Sequence, residues 1–271
     1  SSTAAFAGYA SCATAAFLNE ESYLSAFDFD ESFRTYLEEH RSTKGFDGMC
    51  SSEWLWCDID RENDLQAALN DARRLACNLD ERFRLPDDSL LIFFSGSKGF
   101  HVGLPTALWS PVPSVTFHRT AKRFAQQFAE EVGVEIDLTV YDKVRAFRAP
   151  NSRHPSTGLH KRCLTMDELL RMSIEAIVEQ AVEPAPFDIP AVSVIRGTAA
   201  DRWRAADLDA VQEAKSLVSR RTRIKHDRNS RLNRKTIEFI QDGAPNGERH
   251  TRLYSAAANL GEFECPEELA L

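Results

Sequence analysis

Apolar residues recur at helical spacing in two stretches of the chain. Leu65, Leu69, Ala72, Leu75 and Leu79 follow Asp64, whose carboxylate can cap a helix, and Phe117, Ala121, Phe124, Phe128 and Val132 repeat the pattern further on. Four shorter runs, Trp54 to Ile59, Leu90 to Phe94, Phe100 to Leu104 and Ile136 to Tyr141, are continuously apolar or alternate, and they predict strands. Strands and helices therefore interleave, the order expected of an α/β or α+β core in which mixed sheets are flanked by helices. A third helix is predicted from Thr165, where Thr165 and Glu168 stand at capping-box spacing before Leu169, Leu170, Ile174, Ile177 and Ala181.

Prolines at 184, 186 and 190 end that pattern, because proline cannot continue a helix, and the chain beyond them has helical periodicity with no good strand candidate. A domain boundary is expected there. The division read from the sequence is a main domain over 1–183, a linker and basic helical segment over 184–230, and a small helical C-terminal domain over 231–271. Leu253, Ala257 and Leu260 give the last part an apolar stripe, and Gly243 is a candidate helix stop. The stretch from Lys215 to Lys235 is crowded with basic residues and holds one acid, Asp227. Such a run grips nucleic-acid phosphates or forms a solvated helix face.

Composition narrows the picture modestly. With 271 residues, 43% of them hydrophobic, the chain can bury a core, and its formal charge of -8 argues against nucleic-acid binding through overall basicity. Any such contact must come from local positive patches. The cysteines at 12, 50, 57, 77, 163 and 265 form no CxxC pair, so neither a zinc site nor a disulfide framework is expected. The first eighteen residues are uncharged but alanine-rich, and the first cation is Arg34, unlike a signal peptide. A cytoplasmic protein without a membrane span is expected. Pro266, followed by Glu267 and Glu268, resembles the opening turn of a further helix, so the sequence reads as a piece of a longer protein.

Three segments carry candidate chemistry. In the first, WLWCDIDRE, Asp58 and Asp60 stand two apart at the end of an apolar strand, so both carboxylates project from one face. Like charges held that close suit a hard divalent cation of the magnesium or manganese type, although acidic pairs at strand ends also cap the next helix or face solvent. In the second, FFSGSKGFH, Gly96 and Gly99 let backbone amides approach an anion, while Ser95, Lys98 and His101 add donors suited to phosphate. A plain hairpin with a Ser-Gly turn is the alternative for that string. In the third, IDLTVYDKVRAFRAPNSRHPSTG, Asp137 at the start of a predicted strand supplies another acid, and Arg145, Arg148, Ser152, Arg153 and His154 follow. Asp142 lies beside Lys143, and a surface ion pair is its expected use.

In order and spacing these segments resemble the three signature motifs of the archaeo-eukaryotic primase superfamily, over about Trp54 to Gly158. The resemblance implies a primase-polymerase catalytic core in which Asp58, Asp60 and Asp137 bind two Mg2+ or Mn2+ ions. It also implies a nucleotide site formed by Ser95, Gly96, Lys98, Gly99, His101, Arg145, Arg148, Ser152 and His154. The segment TIEFIQDGAPNGERHTRLYSAAANLGEF is similar to the small helical domain that follows such cores in phage and plasmid replication proteins, which implies a prokaryotic replication setting and a helicase domain or partner beyond it. Many family members carry a cysteine-rich zinc module that this chain lacks.

The activity so implied is synthesis and extension of primers on single-stranded DNA from NTPs or dNTPs, by in-line attack of a 3′ hydroxyl at the α-phosphate between ions about 4 Å apart. A gap-filling repair polymerase would share this chemistry and differ in needing a primer. A metal-dependent nuclease would need the acids but not the phosphate cradle. A non-catalytic single-strand-binding module would usually stack bases on paired strand aromatics, a pattern absent from these motifs.

Overall fold

A seven-residue strand ending in the first acidic pair organises the larger part of the protein. The computed structural model describes residue 13 and residues 21–86, 88–191, 197–226, 232–243 and 249–262. In chain order its elements are β1 (Tyr23–Ser25), β2 (Asp28–Phe29), α1 (Glu31–His40), β3 (Cys50–Ser51), β4 (Trp54–Asp60), α2 (Leu65–Phe83), β5 (Leu91–Phe94), β6 (Gly99–Pro105), α3 (Phe117–Val132), β7 (Ala146–Arg148), β8 (Arg162–Leu164), α4 (Met166–Arg171), α5 (Ile174–Gln180), α6 (Gly197–His226), α7 (Arg234–Asp242) and α8 (Arg249–Glu262). The architecture is α+β with small antiparallel sheets. Backbone contacts divide the chain into two units, 1–209 and 210–271.

The central sheet has the order β4-β6-β5-β8, every neighbour antiparallel. Because side chains alternate along a strand, its register sorts the residues into two faces. Leu55, Cys57, Ile59, Ile92, Phe94, Phe100, Val102, Leu104 and Leu164 share one face, and all are buried. Helix α2 packs along β6 and buries Ala68, Leu69, Ala72, Leu75, Ala76, Leu79 and Phe83, with Asp64 capping it by accepting from Ala67 N at 2.8 Å. Helix α3 lies against α2 and ends where Gly133 adopts a left-handed conformation. The other face carries Trp56, Asp58, Asp60, Phe93 and His101. It is covered by Phe147 of the β1–β7 ribbon and by Phe187.

Two predicted elements take different forms. Ile136 to Tyr141 is not a strand but contains a 3-10 turn, Leu138–Tyr141, because the Asp137 carboxylate accepts from both the amide and the hydroxyl of Thr139, each at 2.8 Å. That local bonding competes with a sheet ladder. The helix expected from Thr165 begins with its capping box but breaks after Arg171 into α4 and α5. Ser173 recaps the second piece, and the Arg73 guanidinium accepts the load of the first by donating to the carbonyls of Leu169 at 2.8 Å and Met172 at 2.7 Å.

The proline-rich stretch forms neither helix nor strand and packs back on the sheet. Phe187 meets the Phe93 ring edge-on at 5.3 Å, and Ala185 N donates to Asn151 Oδ1 at 3.1 Å. In the second unit, α7 and α8 pack together; Asn233 caps α7, Asn259 accepts from Asn233 N at 2.9 Å, and Gly243 ends α7 with φ of 74°. Of the expected stripe, Leu253 and Leu260 are half-buried and Ala257 is exposed, whereas Ala256 is buried. Among the described residues no helix is long and apolar enough to cross a membrane. The helix start expected at Pro266 lies outside the described residues. So do the side chains of most of the basic stretch and all of the first eighteen residues except Ala13.

Candidate active site

One open cavity gathers residues from all three motifs. Its walls include Asp58, Asp60, Ser95, Lys98, His101, Asp137, Arg145, Arg148 and His154. The placement follows from the fold. Register sets Asp58 opposite His101 and Asp60 opposite Gly99, so the acidic strand end and the glycine turn meet at one edge of the sheet. Asp137 is brought there by its own backbone, whose N–H donates to the carbonyl of Asp58 at 2.8 Å. Arg148 arrives on β7, and the loop behind it returns His154 toward the cavity.

The glycine turn is built from within. Ser95 Oγ accepts from the amides of Ser97 at 3.3 Å and Gly99 at 3.2 Å, and Gly96 adopts φ of 81°, a conformation that favours glycine. The Gly96 carbonyl accepts from Thr157 Oγ1 at 2.6 Å, which ties the turn to the basic loop. Gly99 has no room for a side chain, since a Cβ there would lie 2.0 Å from the carbonyl oxygen of Ile59. Gly96 and Gly99 thus shape the turn through the backbone.

Ser152 departs from expectation. It is fully buried, its hydroxyl donates to the carbonyl of Ala149 at 2.8 Å, and it does not line the cavity. The resemblance implies a nucleotide contact there, but the loop folds the hydroxyl inward to close its own turn. Asp142 and Lys143 also differ. Lys143 donates to the carbonyl of Gly48 at 2.6 Å and covers Phe46 rather than pairing with its neighbour.

The carboxylates have distinct surroundings. Asp60 pairs with Lys98 at 3.1 Å, which raises the lysine pKa, and Asp137 is turned to Thr139. Asp58 is mostly buried, and Oδ1 has His101 Nε2 at 3.4 Å but in no orientation for a hydrogen bond. Burial, followed by the charges of Asp60 and Asp137, pushes its pKa up to about 7. His101 lies against the Phe147 ring at 4.3 Å, and burial, with Lys161 and Arg148 nearby, drives its pKa well below the ordinary value, so the ring is neutral. His154 is lowered too, by burial first and then Arg148. Its Nδ1 faces the amides of Ser156 and Thr157, at 3.3 and 3.4 Å, which leaves the proton of the neutral ring on Nε2.

Among the described residues no three His, Cys, Asp or Glu side chains are already closed into a ligand cluster. The donor set still fits a hard divalent ion. Three carboxylates border one space, one Asp58 oxygen is buried without a hydrogen-bond partner, and the crowding that keeps the Asp58 carboxyl protonated up to about pH 7 is the kind a cation relieves.

Three neighbours of the site escaped the sequence reading. Tyr23 pairs with Arg148 across the β1–β7 ribbon and lines the cavity, its ring 5.3 Å from the guanidinium. Thr139 orients Asp137. Lys161 is buried behind Arg148. A three-residue strand far upstream carries no motif, and a lysine in a basic string gives no sign of burial. No protein-family model, curated protein or solved structure matches this chain.

Proposed function

We propose that this chain is a template-directed nucleotidyltransferase of the primase-polymerase kind, joining nucleoside triphosphates on single-stranded DNA. The observation that carries this reading is the meeting, in one cavity, of three carboxylates with Lys98, Arg145, Arg148, His101 and His154, drawn from segments far apart in the chain. Acids alone would suit hydrolysis of a phosphodiester. Acids beside a cationic wall suit a substrate that carries several phosphates, because the wall must offset charge that develops on the leaving pyrophosphate.

Asp58, Asp60 and Asp137 would hold Mg2+ or Mn2+, which when bound neutralises phosphate charge and makes a 3′ hydroxyl easier to deprotonate. The protein's own groups do the positioning. Arg148 and Arg145 offer charge-assisted donors to phosphate oxygens, and the Nε2–H of His154 adds a neutral one. Neutral His101, fixed against Phe147, can donate one hydrogen bond without adding charge beside Asp58. Lys98 is half-exposed on a flexible stem, so it can exchange its contact with Asp60 for a phosphate.

The test is incorporation of labelled nucleotide on unprimed and primed single-stranded DNA, with Mn2+ or Mg2+ and either NTPs or dNTPs. Replacement of both Asp58 and Asp60 by alanine is expected to abolish synthesis. Synthesis undiminished in that variant removes the acids from the mechanism, and product only on primed template assigns the chain to extension rather than initiation.

A further inference from the structure

Lys161 is fully buried, yet it stands among aromatic rings. Its Nζ lies 4.2 Å from the centroid of Phe147, 4.8 Å from Phe93 and 5.3 Å from Trp56, and it donates to the carbonyl of Arg148 at 2.8 Å. Its backbone fastens the same loop, for Lys161 N donates to Ser152 O at 3.0 Å and its carbonyl accepts from Asn151 N at 2.8 Å. Taking an ammonium out of water is costly, and a methionine of similar length would fill the same cage without that cost. The rings offset part of the desolvation by presenting their electron-rich faces. The nearest ring, Phe147, also lies against His101 at 4.3 Å, so the ammonium stands directly behind the wall of the site.

We infer that Lys161 is a positioning residue of the nucleotide site, a buried fixed charge that holds the main chain of Arg148 in place and adds positive potential where a triphosphate binds. The inference rests on the nucleotidyl-transfer reading above. Lys161 acts through Arg148 and through its field, without reaching the cavity itself, which it does not line. A fixed positive charge repels a divalent cation and attracts a triphosphate. Its removal should therefore divide the two affinities, whereas loosening of the fold would lower both.

The experiment uses the full chain, titrated with Mn2+ alone by electron paramagnetic resonance and with ATP in the presence of Mn2+ by calorimetry. Lys161→Met is expected to melt close to the wild-type temperature, to bind Mn2+ as tightly or more tightly, and to lose about ten-fold or more in ATP affinity. The neutral Lys161→Gln, which keeps a donor for the Arg148 carbonyl, is expected to show the same split and decides the matter if the methionine variant fails to fold. ATP affinity equal to wild type in a folded variant overturns the role of Lys161, as does an equal loss of Mn2+ and ATP. A wild-type chain that binds neither Mn2+ nor ATP fails earlier, and sinks the functional reading itself.

Discussion

The backbone N–H of Asp137 donates to the carbonyl of Asp58 at 2.8 Å, so the acid of the third motif is fastened to the acid of the first through the main chain. This bond holds its main chain, and the carboxylate adds its own bonds to Thr139, which an asparagine can keep in part. Asp137→Asn should keep this bond and the fold while removing a charge from the cavity. We expect a melting temperature within about 3 °C of wild type, with nucleotide incorporation reduced by about a thousand-fold, read by thermal denaturation and primer-extension assays. Retained incorporation would dismiss Asp137 from the site.

Asp58 gives the site a pH signature. Its pKa is raised to about 7 in the folded protein, so between the unfolded value and about pH 7 the native state holds a proton that the unfolded chain has released. The stabilisation is full below the unfolded pKa and is lost as pH rises toward 7, an effect of up to about 4 kcal/mol. Calorimetry in EDTA should show stability declining from pH 5 to pH 8 in the wild type and a flatter profile in Asp58→Asn. Added Mn2+ should restore more stability at pH 8 than at pH 5. Parallel profiles for the two proteins would contradict the assignment.

Gly99 carries a steric demand. An added methyl would sit 2.0 Å from the Ile59 carbonyl oxygen and 2.4 Å from Asp60 Oδ1, and a main-chain carbonyl inside a sheet cannot step aside. Gly99→Ala should destabilise the protein by about 3 kcal/mol or more, visible as an early unfolding transition in circular dichroism. A melt like that of the wild type would mean the turn is looser than described.

Ser152 and Arg148 separate fold from binding. Ser152→Ala removes a buried hydrogen bond to Ala149, for about 1 kcal/mol of stability, and should leave the KM for nucleotide within two-fold. Arg148→Ala should raise KM by roughly 10- to 100-fold, the worth of a charge-assisted contact to phosphate. Steady-state kinetics on both variants checks the contrast, and a large KM effect in Ser152→Ala would return that hydroxyl to the nucleotide.

Much of this arrangement is legible in the chain because period and chemistry agree. The alternation through Trp56, Asp58 and Asp60 fixes which face the acids take, and Asp64 starts its helix by local capping alone. What escapes is decided by partners distant in sequence. Apolar character made Ile136 to Tyr141 look like a strand, and only the hydrogen bonds of Asp137 to Thr139 curl it. Ser152 and Lys161 sit in strings that look alike on paper, and tertiary burial alone gives one to a turn and the other to an aromatic cage.

The Phe187 ring rests edge-on against Phe93, which lies beside His101 in the sheet register. Shortening the protein before its prolines would therefore leave a gap next to the chemistry and an adhesive aromatic patch at the surface. A useful minimal version has to carry that strap along, whatever else it sheds.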